Sequence, residues 1–361
     1  MMNTKLNATI ICTFLLLAVS VGCQGSKDRD VKPVTEEPPA EDVSLQKNLP
    51  FKFGAAISPG LMKSRAAYRD VVTKEFNSIT TENAMKMSFI HPSANTYNWA
   101  DADYLVDFAA QNGKRLHGHT LNWYKNVPAW VASFQGDSTA WEALLKTHIQ
   151  TIVSRYKGRV ASWDVVNEAF EENGKYRNSI WIQKLGEDYI ARCFQYAHEA
   201  DPQALLFYND YGHEYGPTKR TAILNLVTGL KNRGIPIHGI GMQMHTRVNR
   251  SDADLAKAIE TAAATGLLVH ISELDIAVNP DNDKNMVWTA ALASQQALKY
   301  KSIVKAYNAI PKAQQFGITT WNVSDADSWI PGQYDRPDWP LPFDANYERK
   351  PAYQGILDGV K

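Results

Sequence analysis

From about residue 50 to the end of the chain, short apolar runs alternate with longer stretches in which apolar and polar residues recur at helical spacing. The clearest short run, 160–167, is rich in β-branched residues and stops abruptly on the polar pair Asn167-Glu168. A strand buried on both faces has that signature, because only its end meets solvent. Strands are expected on this pattern at 53–57, 78–81, 115–119, 160–167, 205–208, 240–244, 269–273 and 316–321. Between them lie helical patterns. One carries Trp141, Leu144, Leu145, His148, Ile149, Ile152 and Val153 at spacings of three and four, with Asp137 or Ser138 placed to cap its start and Gly158 after its end. Another runs from Ser251, a good cap, to Gly266.

Eight alternating β and α units predict an α/β fold of the closed (β/α)8 TIM-barrel type, in one domain. A doubly wound sheet is the alternative, and the even spread of units favours the barrel. A barrel places its chemistry at the C-terminal ends of its strands. Those ends read Thr81-Glu82-Asn83, His117-Gly118-His119-Thr120, Asn167-Glu168, Tyr208-Asn209-Asp210, Gln243-Met244-His245, Glu273 and Trp321. A purely structural scaffold has no reason to set hydrogen-bonding or aromatic groups at nearly every strand end.

The ends of the chain divide differently. Residues 1–22, with Lys5 before an apolar stretch at 10–21 too short to span a bilayer, read as an export signal. Val19-Ser20-Val21-Gly22-Cys23 resembles a bacterial lipoprotein cleavage box, with Ser20 where Leu is usual, so Cys23 is the expected lipid attachment site. An ordinary signal peptide is the plainer alternative. Residues 23–48 are polar and contain Pro33, Pro38 and Pro39, which predicts a flexible tether ahead of a catalytic domain at 49–361. An exported protein, secreted or anchored as a lipoprotein in the periplasm or at the cell surface, follows from these segments. Cys12 leaves with the signal, and Cys193 falls in a helical pattern as a small core residue, so no disulfide framework is expected.

With 38 basic and 38 acidic residues, the chain offers nucleic acid no net attraction. Ten Trp, 16 Tyr and 12 Phe supply flat surfaces on which the apolar faces of sugar rings can stack. No metal cluster, phosphate loop or serine elbow competes, and no cofactor is expected. What remains is a pair of carboxylates, Glu168 and Glu273, each at the end of a buried strand and able to face one cleft. Paired carboxylates are the equipment for breaking a glycosidic bond.

Five motifs sharpen this: Thr81-Glu82-Asn83-Ala84-Met85-Lys86, Gly118-His119-Thr120-Leu121, Trp163-Asp164-Val165-Val166-Asn167-Glu168, Ser272-Glu273-Leu274-Asp275 and Asp325-Ala326-Asp327-Ser328-Trp329. In this order, across the whole domain, the chain resembles the endo-β-1,4-xylanases of glycoside hydrolase family 10. The resemblance implies a retaining double displacement on xylan or xylo-oligosaccharides, with Glu168 as general acid/base and Glu273 as nucleophile; a monomer is expected. A retaining pair stands about 5–5.5 Å apart, so that one carboxylate can attack carbon directly. It further implies that Asn167 bonds the sugar 2-hydroxyl beside the cut and that His245 orients the nucleophile. His119 and Trp123 line the cleavage subsite, and Gln243 supports its hydrogen bonds. Glu82, Asn83 and Lys86 grip the next sugar toward the non-reducing end, and Trp321 and Trp329 wall the glycone sugars. Trp99, Trp163 and Trp181 are expected in the core, Asp164 as a buried structural acid, and Asp275 in support of the site.

Three positions depart from the family pattern. Asn126 stands where Gln is usual and is expected to reach the sugar less well; Asn322 replaces a usual Gly; and Ile330 replaces a longer or charged residue. All three are expected to alter substrate preference and leave the chemistry intact. Two rival readings remain at this stage: a β-1,4-glucan hydrolase on the same scaffold, and a glycan-binding lipoprotein without catalysis.

Overall fold

The structure, a computed structural model, describes residues 43–361; the expected signal, Cys23 and most of the expected tether lie outside the described residues. The described strands are β1 (Phe53–Ile57), β2 (Ser78–Thr81), β3 (Arg115–Trp123), β4 (Ser162–Asn167), β5 (Leu205–Asp210), β6 (Gly239–Met242), β7 (His245–Arg247), β8 (Leu268–Ala277) and β9 (Gln315–Thr320). Eight of them, all but the short β7, form a closed parallel barrel in the order β1 to β6, then β8 and β9. Closure comes from Ile240 paired with Val269 between β6 and β8, and from Ala55 paired with Thr320 between β1 and β9. Helices run between the strands, as the apolar spacing predicts. In the helix Ser138–Arg155 the Asp137 carboxylate accepts from the Ala140 N–H at 2.9 Å. Ser251 caps Asp252–Ala263 in the same way at 3.3 Å. Each cap satisfies a helix N–H that has no partner within the helix.

The barrel interior is filled. At its lower end Phe207 and Phe316 pack at 4.5 Å, His117 and His270 at 4.9 Å, and the Arg115 guanidinium closes the stack 3.6 Å from the Phe316 ring. Gly118 allows the Trp163 ring to lie against β3, where a Cβ would come within 2.2 Å of it. At the upper end the register shifts, between His119 and Asn122, between Asp164 and Val166, and between Ile271 and Leu274. Such bulges re-aim side chains. Here they lie just below Asn167 and on either side of Glu273.

Two expectations need correction. The folded body includes residues 43–48, ahead of the expected start at 49. Leu45 in the helix Leu45–Asn48 is fully buried, and its N–H donates to Glu75 Oε2 at 3.0 Å. Glu75 also accepts from Tyr353 in the last helix, Pro351–Asp358, at 3.0 Å, so one carboxylate ties the two ends of the barrel together. Trp163, Trp181 and Cys193 are core residues as expected, but Trp99 is only half-buried. It stacks on Tyr97 at 4.7 Å and carries the Arg155 guanidinium 4.5 Å above its ring, a surface arrangement that shields the indole without enclosing it. Among the described residues no helix is long and apolar enough to cross a membrane.

Candidate active site

Glu168 follows the last residue of β4 in a left-handed conformation, φ 56°. A non-glycine residue held there costs on the order of 1–3 kcal/mol and needs its surroundings to impose it. The surroundings are specific. The Glu168 N–H donates to the Asn209 carbonyl at 2.9 Å, and Arg177 Nε donates to the Glu168 carbonyl at 3.1 Å. The next N–H, of Ala169, donates to the Tyr208 hydroxyl at 3.0 Å, and that hydroxyl donates to Asp210 Oδ2 at 2.6 Å. Met244 (φ 59°) and Asn322 (φ 79°) are left-handed too, just beyond β6 and β9. The chain is bent at three strand ends around one mouth.

Beneath the two glutamates lies a buried amide network whose orientation follows from the carboxylates. Asn209 Nδ2 donates to Glu273 Oε1 at 2.7 Å, and a carboxylate oxygen there can only accept, so Nδ2 must be the NH2 group. The Asn209 oxygen then accepts from Ser272 Oγ at 2.6 Å. In the same way Gln243 Nε2 donates to Glu168 Oε1 at 3.1 Å. Both NH2 groups also donate to Asn167 Oδ1, at 2.9 and 3.2 Å. Turning the Asn167 amide over would bring its oxygen within 3.3 Å of Trp123 Nε1, but it would also set three NH2 groups against one another. With both neighbours anchored on carboxylates, the oxygen points inward and the Asn167 NH2 is left for a ligand. Gly241 makes the network fit, since a Cβ there would come within 2.2 Å of Asn209 Oδ1.

Glu273 Oε2 faces His245 Nε2 at 3.2 Å, and His245 Nδ1 faces Asp275 Oδ2 at 2.8 Å. Burial works against charge on this imidazole, but Asp275 and then Glu273 outweigh it and hold its pKa well above the ordinary histidine value. Both ring nitrogens thus face acid oxygens, an arrangement that favours the imidazolium, which can donate to both. Burial likewise disfavours the Glu273 carboxylate, yet the His245 hydrogen bond, the charges of His119 and His245 and the Asn209 amide bring its pKa below the usual value. Asp275 Oδ2 also accepts from Trp329 Nε1 at 2.8 Å, which fixes that indole over the site. Asp164 is the buried acid expected. His117 and His119 overcome its burial and hold its carboxyl well below the usual range, and it accepts from His119 Nδ1 at 2.8 Å.

Lys86, His119, Trp123, Asn167, Glu168, Gln243, His245, Glu273, Trp321 and Trp329 all line one cavity of about 620 Å³. Lys86 Nζ lies 4.9 Å from the Trp123 ring and 5.4 Å from the Trp321 ring, and bonds Asn83 Oδ1 at 2.9 Å. Its pKa is lowered by burial, against the opposing charges of Glu273, Glu82 and Glu168. Glu82 and Asn83 stand behind this lysine, outside the lining. The expectations for the three unusual positions change. Asn126 does not line the cavity; its Oδ1 accepts from the Ser88 N–H at 2.7 Å and from Ser88 Oγ at 2.8 Å. Asn322 is buried in the left-handed conformation that glycine favours and asparagine tolerates, with its side chain close enough to Glu82 to favour the ionised carboxylate. Ile330 is 3% exposed and packs in the core. The first two can act only through the residues they hold, and Ile330 presents nothing to the cavity.

Sequence reasoning missed the hub. Asn209 was one polar residue among several at a strand end, and its partners come from β4 and β8. Arg177, which holds the Glu168 carbonyl from nine residues downstream, carries no motif. Tyr211, Tyr215 and Arg250 also line the cavity from loops, and Arg247 from the three-residue strand β7, none of which the strand pattern could place.

The sequence profile of Glycosyl hydrolase family 10 matches residues 42–359. Endo-1,4-beta-xylanase B of Paenibacillus barcinonensis is 37% identical over 319 residues, covering 85% of this chain and 95% of the relative. Endo-beta-1,4-xylanase Xyn10C of Cellvibrio japonicus is 40% identical over 315 residues, covering 80% of this chain; the chain spans 52% of that longer relative. Among solved structures, a mutant xylanase 10C from Cellvibrio japonicus in complex with xylopentaose superposes with a TM-score of 0.84 at 37% identity, covering 88% of this chain and 69% of the other. With eight barrel strands, a family match across the folded body and relatives above 30% identity over most of its length, the chain belongs to glycosyl hydrolase family 10.

Proposed function

We propose that this protein cleaves internal β-1,4-xylosidic bonds of xylan with retention of configuration, Glu168 serving as general acid/base and Glu273 as nucleophile. The observation that carries the assignment is the unequal treatment of the two carboxylates. Both oxygens of Glu273 face donors, Asn209 and the His245 imidazolium, which favour the ionised form of a nucleophile. Glu168 has one oxygen bonded to Gln243, while Oε2 has no protein partner and is free to carry a proton to substrate.

In the first step Glu168 gives its proton to the glycosidic oxygen as the C–O bond breaks, and Glu273 attacks the anomeric carbon to form a glycosyl ester. In the second, Glu168 takes a proton from water, the water oxygen attacks the same carbon, and Glu273 leaves as carboxylate. The Asn167 NH2 donates to the sugar 2-hydroxyl, a bond that strengthens as positive charge develops at the neighbouring carbon. Trp329, tied to Asp275 and packed 5.1 Å from His245, is a rigid wall against the sugar. Xylose has no exocyclic hydroxymethyl group, and such a wall disfavours glucose by collision. Incubation with linear xylan and with cellulose tests this. A ladder of short xylo-oligosaccharides from xylan alone is expected; release of sugar mainly from cellulose, or binding of both without cleavage, would overturn it.

Export, and attachment of a lipid at Cys23, belong to the same proposal and rest on the sequence of residues 1–23. A Cys23→Ala variant is expected to leave the membrane fraction for the soluble one; an unchanged distribution refutes the anchor. The reading also takes the protein as a monomer, and a sedimentation mass a little below the 40.4 kDa of the full chain is expected once the export signal is removed.

A further inference from the structure

The cavity around the two glutamates holds more positive charge than a neutral polysaccharide requires. Lys86, Lys125, Arg247 and Arg250 line it, against the carboxylates Glu168 and Glu273 alone. Lys86 is accounted for by the opposing charges of Glu273, Glu82 and Glu168 around it. Arg247 and Arg250 are not: neither has a carboxylate within ion-pair distance among the described residues. Both are nevertheless held in place. Arg247 Nη1 donates to the Pro280 carbonyl at 3.4 Å, and the Arg250 guanidinium lies 4.3 Å from the centre of the Tyr215 ring. The Tyr215 hydroxyl in turn donates to the main-chain oxygen of His245. The two guanidinium groups therefore stand on the rim with hydrogen-bonding edges unused. A planar guanidinium fork matches the geometry of a carboxylate.

Their place on the barrel tells which half of the glycan they would meet. Around the closed ring β2 and β6 are separated by β3, β4 and β5 on one side and by β1, β9 and β8 on the other. The segment between β6 and β8, which carries Arg247 at the end of β7 and Arg250 just beyond it, therefore lies across the mouth from the β2 cluster of Glu82, Asn83 and Lys86. A chain held at Lys86 on its glycone side passes Glu168 and leaves over Arg247 and Arg250. We infer that Arg247 and Arg250 form a carboxylate-recognition site on the leaving-group half of the cleft, which selects glycan chains bearing a uronic acid side group. This inference rests on the reading of the protein as a xylan hydrolase.

The test is binding, so that it does not depend on turnover. In a Glu273→Gln background, affinity is measured by calorimetry for a xylo-oligosaccharide carrying a uronic acid and for the same compound after reduction of its carboxyl to an alcohol. The acid form is expected to bind about five- to tenfold more tightly at low ionic strength, as for a partly exposed charge-assisted hydrogen bond. Most of that ratio should disappear in about 1 M salt. In the Arg247→Gln/Arg250→Gln double variant the ratio should fall to about one, and in Arg247→Lys/Arg250→Lys it should fall only in part. Equal affinity for the two ligands, or a ratio that survives the double Gln substitution, overturns the inference. Cleavage of neutral linear xylan is followed separately in the unaltered protein. Loss of that activity with the binding ratio retained would refute the hydrolase reading and leave the carboxylate site standing.

Discussion

Asn209 is the residue on which the proposed chemistry turns without its touching the bond that breaks. It is fully buried, donates to Glu273 and to Asn167, and accepts from Ser272. Asn209→Ala removes all three bonds and leaves a carboxylate oxygen, an amide oxygen and a hydroxyl with one partner fewer. The bond to charged Glu273 is worth about 1.5–3 kcal/mol and the two neutral bonds about 1 kcal/mol each, so a stability loss on the order of 3–5 kcal/mol is expected. The effect on rate has a different origin. Without Asn209 both Glu273, the proposed nucleophile, and the Asn167 NH2 proposed to meet the 2-hydroxyl lose their aim, and removal of one preorganised donor costs about 10²–10³ in kcat. The assay compares an aryl xylobioside, whose leaving group needs no protonation, with a xylo-oligosaccharide. Glu168→Gln, which lacks the acid, should recover much of its formation of glycosyl-enzyme on the aryl substrate. Asn209→Ala should be equally poor on both, because its defect lies at the nucleophile and the 2-hydroxyl. If Asn209→Ala keeps kcat within about threefold of the unaltered protein while its melting temperature falls, Asn209 is only scaffold and the argument from the amide network fails.

Three further outcomes follow from the same geometry. His245→Gln removes the positive charge beside Glu273, so the acid limb of the kcat/KM profile should move to higher pH; an unmoved limb would mean that the imidazolium does not control the nucleophile. In stability the two groups run oppositely. The Glu273 contribution, with its pKa depressed on folding, is present above about pH 4.3 and is lost as pH falls through the folded value. That of His245, with its pKa raised, is complete below about pH 6.5 and is lost as pH rises through the folded value, so the deficit of His245→Gln should shrink in alkali in denaturation curves. Gly241→Ala places a methyl 2.2 Å from Asn209 Oδ1 and should lower kcat by at least about tenfold; near-normal kinetics would show that the network can shift without loss. Removal of residues 43–48 takes the fully buried Leu45 and its bond to Glu75 away and should cost about 2–4 kcal/mol by thermal denaturation, whereas a neutral result would return the domain start to residue 49.

Much of this architecture is legible in the chain before folding, and the reasons can be named. A buried barrel strand must be apolar on both faces and must end where its loop begins, so runs such as 160–167 and 269–273 advertise both their class and the polar residues they deliver. Local capping chemistry is equally visible, as Asp137 and Ser251 bear out. What depends on contacts between distant strands is hidden. Asn126 has a partner 38 residues away in Ser88, Asn209 has one 64 residues away in Glu273, and the first helix meets Tyr353 through Glu75. Substitutions such as Asn322 and Ile330 could be noticed but not interpreted, because the backbone conformation of the first and the burial of the second arise only in the closed barrel. Loop residues beyond the strand ends carry the least signal of all, and the rim arginines are the instance with most bearing on specificity.

The central claim is that Glu273 attacks carbon and Glu168 serves it on both sides of a covalent intermediate. Proton NMR during the first minutes of xylo-oligosaccharide hydrolysis reads the stereochemistry of each new reducing end before mutarotation equalises the anomers. The β-anomer appearing first, with the α-anomer growing only later, is the result expected of a double displacement. The α-anomer appearing first would mean a single displacement by water, and would contradict the roles assigned to both carboxylates.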